Sequence, residues 1–312
     1  MLCLAGVARC ARRLRAAAAQ GRRAALASLA AGRTTSAQRL NLEGLCKIAP
    51  LNIALDEASH RYVANGVACV SVTRLVDSIF EPFDADAVLA KHYSRWQGDP
   101  NNQYYGKSEE KIRTDWAERG AKSRELGSAL HAGIEDFFRT GSRHWLDAQA
   151  GGALAREAAQ FSKLVAAEGD TLLAEPVAIE FRTADPELGV AGTVDFIGLD
   201  HTKKDPNGVY SLHLLDWKRA VKEISPTMTS VFRARPPFDD IPDTAYARYS
   251  LQLNLYAMLL ERNYNNVRVS SSSIVQFSPI RDAPQIVRVS RDDKTVARLM
   301  EHYYANEHTL IS

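Results

Sequence analysis

GTVDFIGLDHTKKDPNGVYSLHLLDWKRA, residues 192–220, decides the fold. Two apolar runs, GTVDFIGL and VYSLHLLDWK, flank the turn-forming Asp205-Pro206-Asn207-Gly208. Their length and composition predict two buried strands joined as an antiparallel hairpin. Closed over the turn near residues 202–209, the hairpin pairs residues whose numbers sum to 411, which sets Asp195 opposite Asp216. A slip of one residue would send the two aspartates to opposite faces. In the 411 register, Asp195, Asp216 and Lys218 share a face and Trp217 points the other way.

Two carboxylates on adjacent strands stand about 5 Å apart at Cβ. Both ionised at ~4 Å, they repel by about 4 kcal/mol at an effective dielectric of 20. One lysine cannot cancel both charges, whereas a hard divalent cation can, and oxygen ligands select Mg²⁺ or Mn²⁺. Such an ion beside a lysine suits attack on a phosphodiester. Lys218 is a poor candidate for general base: lowering its pKa from about 10.4 to about 7 demands roughly 4.6 kcal/mol, and the carboxylates push the other way. Positioning water and stabilising developing charge fit it better. The plain alternative is a core salt bridge between Asp216 and Lys218, because D-x-K arises often by chance.

Outward from the hairpin, PVAIEFRT (Pro176 to Thr183) reads as another strand. HRYVANGVACVSVTRLV (His60 to Val76) reads as a hairpin around Asn65-Gly66, running into a helix after Ser71 and Thr73. Residues 84–116 are polar and aromatic, broken at Asp99-Pro100-Asn101-Asn102. Helical spacing begins at Trp116, places Leu126, Leu130, Ile134 and Phe137 on one face, and stops at Gly141. Further helices are expected over about 154–168, over 249–264 and from about Arg291, with strands near 267–277 and 285–289. The order predicts a mixed α/β fold, a central mixed β-sheet flanked by helices, with an N-terminal helical and hairpin extension. The expected division is a presequence over 1–40, an extension packed on the core over 41–115, and the core over 116–312.

Residues 1–40 hold eight arginines, no lysine and no acid. Removing those eight from 39 basic residues leaves 31 against 37 acidic ones, so the rest carries about −6. Arg-rich, acid-free and amphipathic, the first forty look like an organelle transit peptide and point to the mitochondrial matrix. The alternative is a basic tail that binds nucleic acid. Cys46 and Cys69, without a CxxC, suggest neither a disulfide framework nor a zinc site. No run of eighteen uncharged apolar residues predicts a membrane span.

His131 and Glu135 lie i, i+4 on one helix face, with Gly127 a turn earlier, where it would let another backbone approach. Gln252 and Tyr256 repeat the spacing in an otherwise apolar helix. Each pair alone is as well read as a satisfied core histidine or a buried tyrosine. Taken in order, H-x-x-x-E, the strand acid Glu180, G-x-x-D, D-W-K and Q-x-x-x-Y resemble the PD-(D/E)xK nuclease superfamily. The branch they resemble is the RecB-like one, which includes mitochondrial DNA-maintenance exonucleases and nucleases of large DNA viruses. The resemblance covers roughly residues 116–290, and SVTRLVDSIFEPFD (Ser71 to Asp84) also looks like the N-terminal region of those relatives.

The resemblance implies a restriction-endonuclease-like core, with His131, Asp195, Asp216 and the Trp217 carbonyl binding Mg²⁺ or Mn²⁺. It makes Asp195, Asp216 and Lys218 catalytic, with Glu135, Glu180, Gln252 and Tyr256 in support. Val194 replaces the motif's proline, and Arg219 stands where a small hydroxyl residue is usual. The iron–sulfur members need four cysteines bracketing the core; Cys46 and Cys69 both precede it, so no cluster is expected. The long connection to Gln252 carries Arg233 and Arg235, suggesting a basic flap over substrate, with a plain surface insertion as the alternative. Lys107, Lys111, Arg113, Arg119, Lys122 and Arg124, near Tyr104, Tyr105 and Trp116, suggest a groove for single strands. Lys122, Arg124, Arg219, Arg233 and Arg235 are thus the candidate nucleic-acid contacts.

The resulting expectation is a metal-dependent exonuclease for single-stranded or flap DNA in mitochondrial replication, repair or maintenance, with the proteins of those processes as partners. An RNA-processing nuclease of the same fold and a non-catalytic nucleic-acid-binding scaffold are the alternatives. The acidity of the body counts against any nucleic-acid partner.

Overall fold

A computed structural model describes residues 40–306, apart from 49, 57–60, 170, 174 and 201–206. The presequence up to residue 39, His60, and Asp205-Pro206 of the hairpin turn lie outside the described residues.

The described residues begin with α1 (Leu42–Leu45), followed by β1 (Ile53–Asp56), β2 (Arg61–Ala64), β3 (Val67–Ser71) and α2 (Val72–Asp77). Asn65 and Gly66 take φ of 50° and 84°, the paired left-handed residues of a tight hairpin turn. Ser71 closes β3 and caps α2 by accepting from Arg74 N at 3.1 Å. Then come α3 (Ala85–Gln97), α4 (Glu109–Thr140), α5 (His144–Ala148) and α6 (Ala155–Glu168). β4 (Pro176–Asp185), β5 (Val190–Leu199), β6 (Tyr210–Arg219), α7 (Ala245–Asn263), β7 (Val267–Phe277), β8 (Gln285–Val289) and α8 (Asp293–Ala305) complete the order.

Among the described residues, eight strands form one mixed sheet in the order β1-β2-β3-β5-β6-β7-β8, with β4 on the other side of β5. β3 and β6 therefore share one edge of β5, β3 at its start and β6 at its end. One sheet face packs α4, α5 and α6 against Phe196, Leu215, Trp217, Val275 and Phe277. The other packs α2, α7 and α8 against Val194, Ile197, Leu212, Leu214 and Ile274. No described helix is long and apolar enough to cross a membrane.

Three sequence expectations need correction. The boundary at 115/116 falls inside α4, which starts seven residues earlier than expected on the cap of Ser108. Residues 84–116, in which no helix was expected, hold the 13-residue α3, whose aromatic side chains face α4. The hairpin of the supposed extension gains a third strand and joins the main sheet through β3, so it is part of that sheet. The fold class itself stands as expected.

Candidate metal and catalytic site

β5 and β6 pair in the 411 register, from Phe196↔Leu215 to Leu199↔Leu212. The ladder stops there, one residue short of Asp195 and Asp216. In the opening, Asp195 Oδ2 accepts the backbone N–H of Trp217 at 2.8 Å, so a side chain replaces the missing rung. On the other side of β5, Ile179↔Phe196 and Phe181↔Val194 pair while Glu180 and Asp195 between them do not. Glu180 has φ 47°, a left-handed conformation that costs a non-glycine residue about 1–3 kcal/mol and clusters at functional sites. The alternation of faces reverses at this point. Ile179 and Phe196 pack toward α4 and α6, whereas Phe181 and Val194, two residues away in each strand, pack toward α7. This double break turns Glu180 and Asp195 into one opening.

His131 reaches the same rim from α4. Its Nε2 lies 2.8 Å from the Trp217 carbonyl, and its Nδ1 lies 3.4 Å from Glu180 Oε1 and 3.7 Å from Asp195 Oδ2. With Nε2–H donated to the carbonyl, Nδ1 is the nitrogen left for a cation, a bond that fixes ring and tautomer. The Trp217 carbonyl, expected as a metal ligand, is here the acceptor that orients His131. The ligand atoms of His131, Glu180 and Asp195 all lie within 4.8 Å of one another.

Asp216 stands beside this trio, where the sequence had put it at the centre with Asp195. Its Oδ1 takes the Lys218 ammonium at 2.8 Å, and its Oδ2 is buried with no hydrogen-bond partner. A buried carboxylate oxygen left unpaired is costly and asks for a ligand. Three carboxylates against Lys218 leave two negative charges when His131 is neutral, the charge of one divalent cation. One imidazole nitrogen and carboxylate oxygens form a donor set for a divalent cation.

In the metal-free site, protons take up part of that negative charge. Burial pushes the Asp216 carboxyl up to about 6, with the neighbouring Asp195 adding to the shift against Lys218. Burial also raises Asp195. Burial opposes the charged form of His131, yet Asp195 and Glu180 outweigh it and lift the imidazole to about 9. Lys218 is likewise opposed by burial and held above its ordinary value by Asp216 and Asp195. A lysine so held favours its protonated form.

α7 supports the site from the other face. Gln252 Nε2 donates to Tyr256 OH at 3.3 Å. The Tyr256 ring lies against β5 at Gly192, where a Cβ would come within 2.6 Å of it. Sequence reasoning missed Tyr249, whose ring centroid lies 4.8 Å from Lys218 Nζ. Its signal was available: residue 249 precedes 252 by three and 256 by seven, so all three occupy one helix face.

Other candidates are not brought to the site. Glu135 is half-buried and outside the converging group. Gly127, expected to admit another backbone, has nothing within 4 Å of a built Cβ; the close approach is at Gly133, against Trp145. Arg219 binds Glu157 at 2.8 Å, in a pair whose side chains are 12% and 1% exposed, which ties the end of β6 to α6 and removes it from the phosphate candidates. Arg124, exposed, lies two turns before His131 on its face, about 10.5 Å along the axis. Lys122, two and a half turns away, falls on the opposite face and binds Glu125.

The expected groove is largely occupied by its own acids: Lys107 and Lys111 bind Asp115, and Arg113 binds Asp86 and Glu109. Trp116 Nε1 donates to Tyr104 OH at 2.8 Å, and both rings pack on Trp96, so these aromatics clasp α3 to α4. In the expected flap, Arg233 donates to the Asp240 carbonyl and Arg235 to the Ser78 carbonyl, while both remain exposed.

Comparison with family models and with curated proteins finds no match. Among solved structures, a chain described as the crystal structure of SSO0001 is similar over 78% of this chain and 78% of its own, at 14% identity and a TM-score of 0.32. A likeness of that size carries no argument about chemistry.

Proposed function

We propose that the chain is a Mg²⁺- or Mn²⁺-dependent exodeoxyribonuclease acting on single-stranded or flap DNA in mitochondrial replication, repair or maintenance. The observation that carries the reading is the convergence of His131, Glu180 and Asp195 beside Asp216, whose inner oxygen lacks a partner while Lys218 holds the outer one. His131, Glu180, Asp195 and Asp216 would hold the ion. When bound, it supplies Lewis-acid polarisation of the scissile phosphate and a water of lowered pKa.

The chain's own residues do the rest. Asp195 spans the opened ladder and so keeps β5 and β6 at a set separation. The Trp217 carbonyl fixes the ring of His131. Asp216 and the Tyr249 ring hold the Lys218 ammonium from two sides, so that a permanent positive donor faces charge developing on the phosphate. The choice of DNA, of exonucleolytic action and of mitochondria rests on the sequence resemblance and on residues 1–40.

The test is digestion of end-labelled single-stranded DNA and RNA by the full chain with Mg²⁺, Mn²⁺ or EDTA, beside Asp216→Asn and Lys218→Ala. Metal-dependent loss of DNA in the parent only is the expected result. Cleavage by the variants at the parental rate would sink the site assignment. RNA cut in preference to DNA would overturn the substrate, and binding without any cleavage would leave a scaffold. N-terminal sequencing of the protein from purified mitochondria tests the address.

A further inference from the structure

The connection between β6 and α7 holds two adjacent apolar side chains in water. Val231 is 92% exposed and Phe232 68%. The backbone that carries them is nevertheless tied down. The Phe232 carbonyl accepts from Asp243 N at 3.0 Å, Ala234 N donates to the Ile241 carbonyl at 3.0 Å, and Arg235 N to the Ile79 carbonyl at 2.7 Å. Arg233 and Pro242 form a β-bridge, and Phe238 is buried beneath. Single exposed apolar residues need no explanation, but an adjacent pair on an anchored hairpin marks an interaction surface.

Both ends of this connection start at the candidate site. It leaves β6 just after Lys218 and enters α7 at the cap residue Thr244, five residues before Tyr249, whose ring covers Lys218. Those five residues span about 7.5 Å of helix, and Phe232 is bonded to the residue before Thr244, so its backbone stands on the order of 15 Å from Lys218. That distance is a few nucleotides along a strand. Charge at the tip is mixed, since Asp239 is exposed and forms no ion pair among the described residues, but one cation is free as well. The carboxylates of Asp240 and Asp243 are taken by Arg298 and Arg248, whereas Arg233 meets a backbone carbonyl and, among the described residues, no carboxylate.

We propose that Val231 and Phe232 form a stacking platform for the bases of a DNA single strand entering the site, with Arg233 on an adjacent phosphate. The choice of ligand rests on the nuclease reading. An aromatic face beside an uncompensated guanidinium is what a strand of bases and phosphates requires, and stacking tolerates any sequence.

The experiment is anisotropy of fluorescein-labelled oligo-dT and oligo-U with the full chain in EDTA, where no cleavage can intrude. Phe232→Ala weakens binding of oligo-dT by about 5- to 100-fold, Phe232→Trp retains it, and Arg233→Ala flattens the salt dependence. Thermal melting of the variants stays at the parental value, because the side chain is exposed. Parental affinity in Phe232→Ala overturns the platform and leaves the nuclease reading standing. Phe232-dependent binding by a parent that cuts DNA with neither Mg²⁺ nor Mn²⁺ supports the platform and overturns the nuclease reading. Dependence on Phe232 for oligo-U alone overturns the choice of DNA, and a parent that binds neither strand overturns both proposals.

Discussion

From Phe196 to Leu199, β5 pairs with β6 in an unbroken ladder of buried, mostly apolar residues. One residue earlier the same two strands part, and the space between them is filled by carboxylates, a lysine and an imidazole. The two segments share a register and a neighbourhood, and differ in what satisfies their backbone. In the paired segment, strand meets strand. In the parted one, Asp195 supplies the acceptor for Trp217 N and the Trp217 carbonyl takes His131. Ionisable side chains collect where the ladder fails, because there side chains reach between the strands.

The largest expected effect separates the two segments by activity. On the proposed nuclease reading, Asp195→Asn would remove one buried charge and one donor to the ion, so turnover would fall by about a thousandfold, the scale of losing a major electrostatic contact. Metal-free folding is expected to change little, because the amide oxygen still accepts from Trp217 N and the loss of a buried negative charge offsets the loss of its attraction for His131. A melting temperature many degrees lower would show that Asp195 serves the fold instead. Trp217→Ala does the reverse. This fully buried ring between Phe196 and Phe277 is worth about 3–5 kcal/mol of stability, read from urea unfolding.

A pH series tests the charge balance of the parted segment. His131, raised to about 9, favours the folded state below about pH 6.5 and loses that contribution as pH climbs through 9. Asp216, raised to about 6, favours it in acid and loses its contribution as pH passes 6. Both slopes have one sign, Asp216 acting from about pH 4 to 6 and His131 from about 6.5 to 9, so the melting temperature of metal-free protein falls across that whole range. Mn²⁺, competing with those protons, stabilises more as pH rises; a flat or inverted series breaks the assignment. A smaller effect is expected at Tyr249, where Leu keeps the bulk and Phe keeps the ring. Tyr249→Leu lowers kcat about 2- to 30-fold with little change in KM, and Tyr249→Phe restores it. Smallest are the effects at two of the three glycines of α4. Gly127→Ala, in open space, stabilises by about 0.5–1 kcal/mol, whereas Gly133→Ala drives its Cβ into Trp145 and destabilises.

Much of the sheet was legible because buried strands announce themselves by apolar runs between turn residues. β7 and β8 begin and end where expected, and the turn length set the 411 register. Among the elements that escaped, besides α1 and β1, were α3 and α5, whose packing relies on aromatic contacts and a glycine across helices, not on a stripe along one. The basic run near Arg113 escaped too, since acids from α3 and α4 that neutralise it are distant or interleaved in sequence.

For the site, the sequence alone determined which residue types lie on which strand and helix, because side-chain direction follows from periods of two and 3.6. It could not determine that Glu180 would leave the extended region, that the pleat would reverse at 180 and 195, or that Asp216 would keep one oxygen unpaired. Those features arise where β3, β4, β5, β6 and α4 compete for the same space, and they follow from the balance of many contacts between segments far apart in the chain.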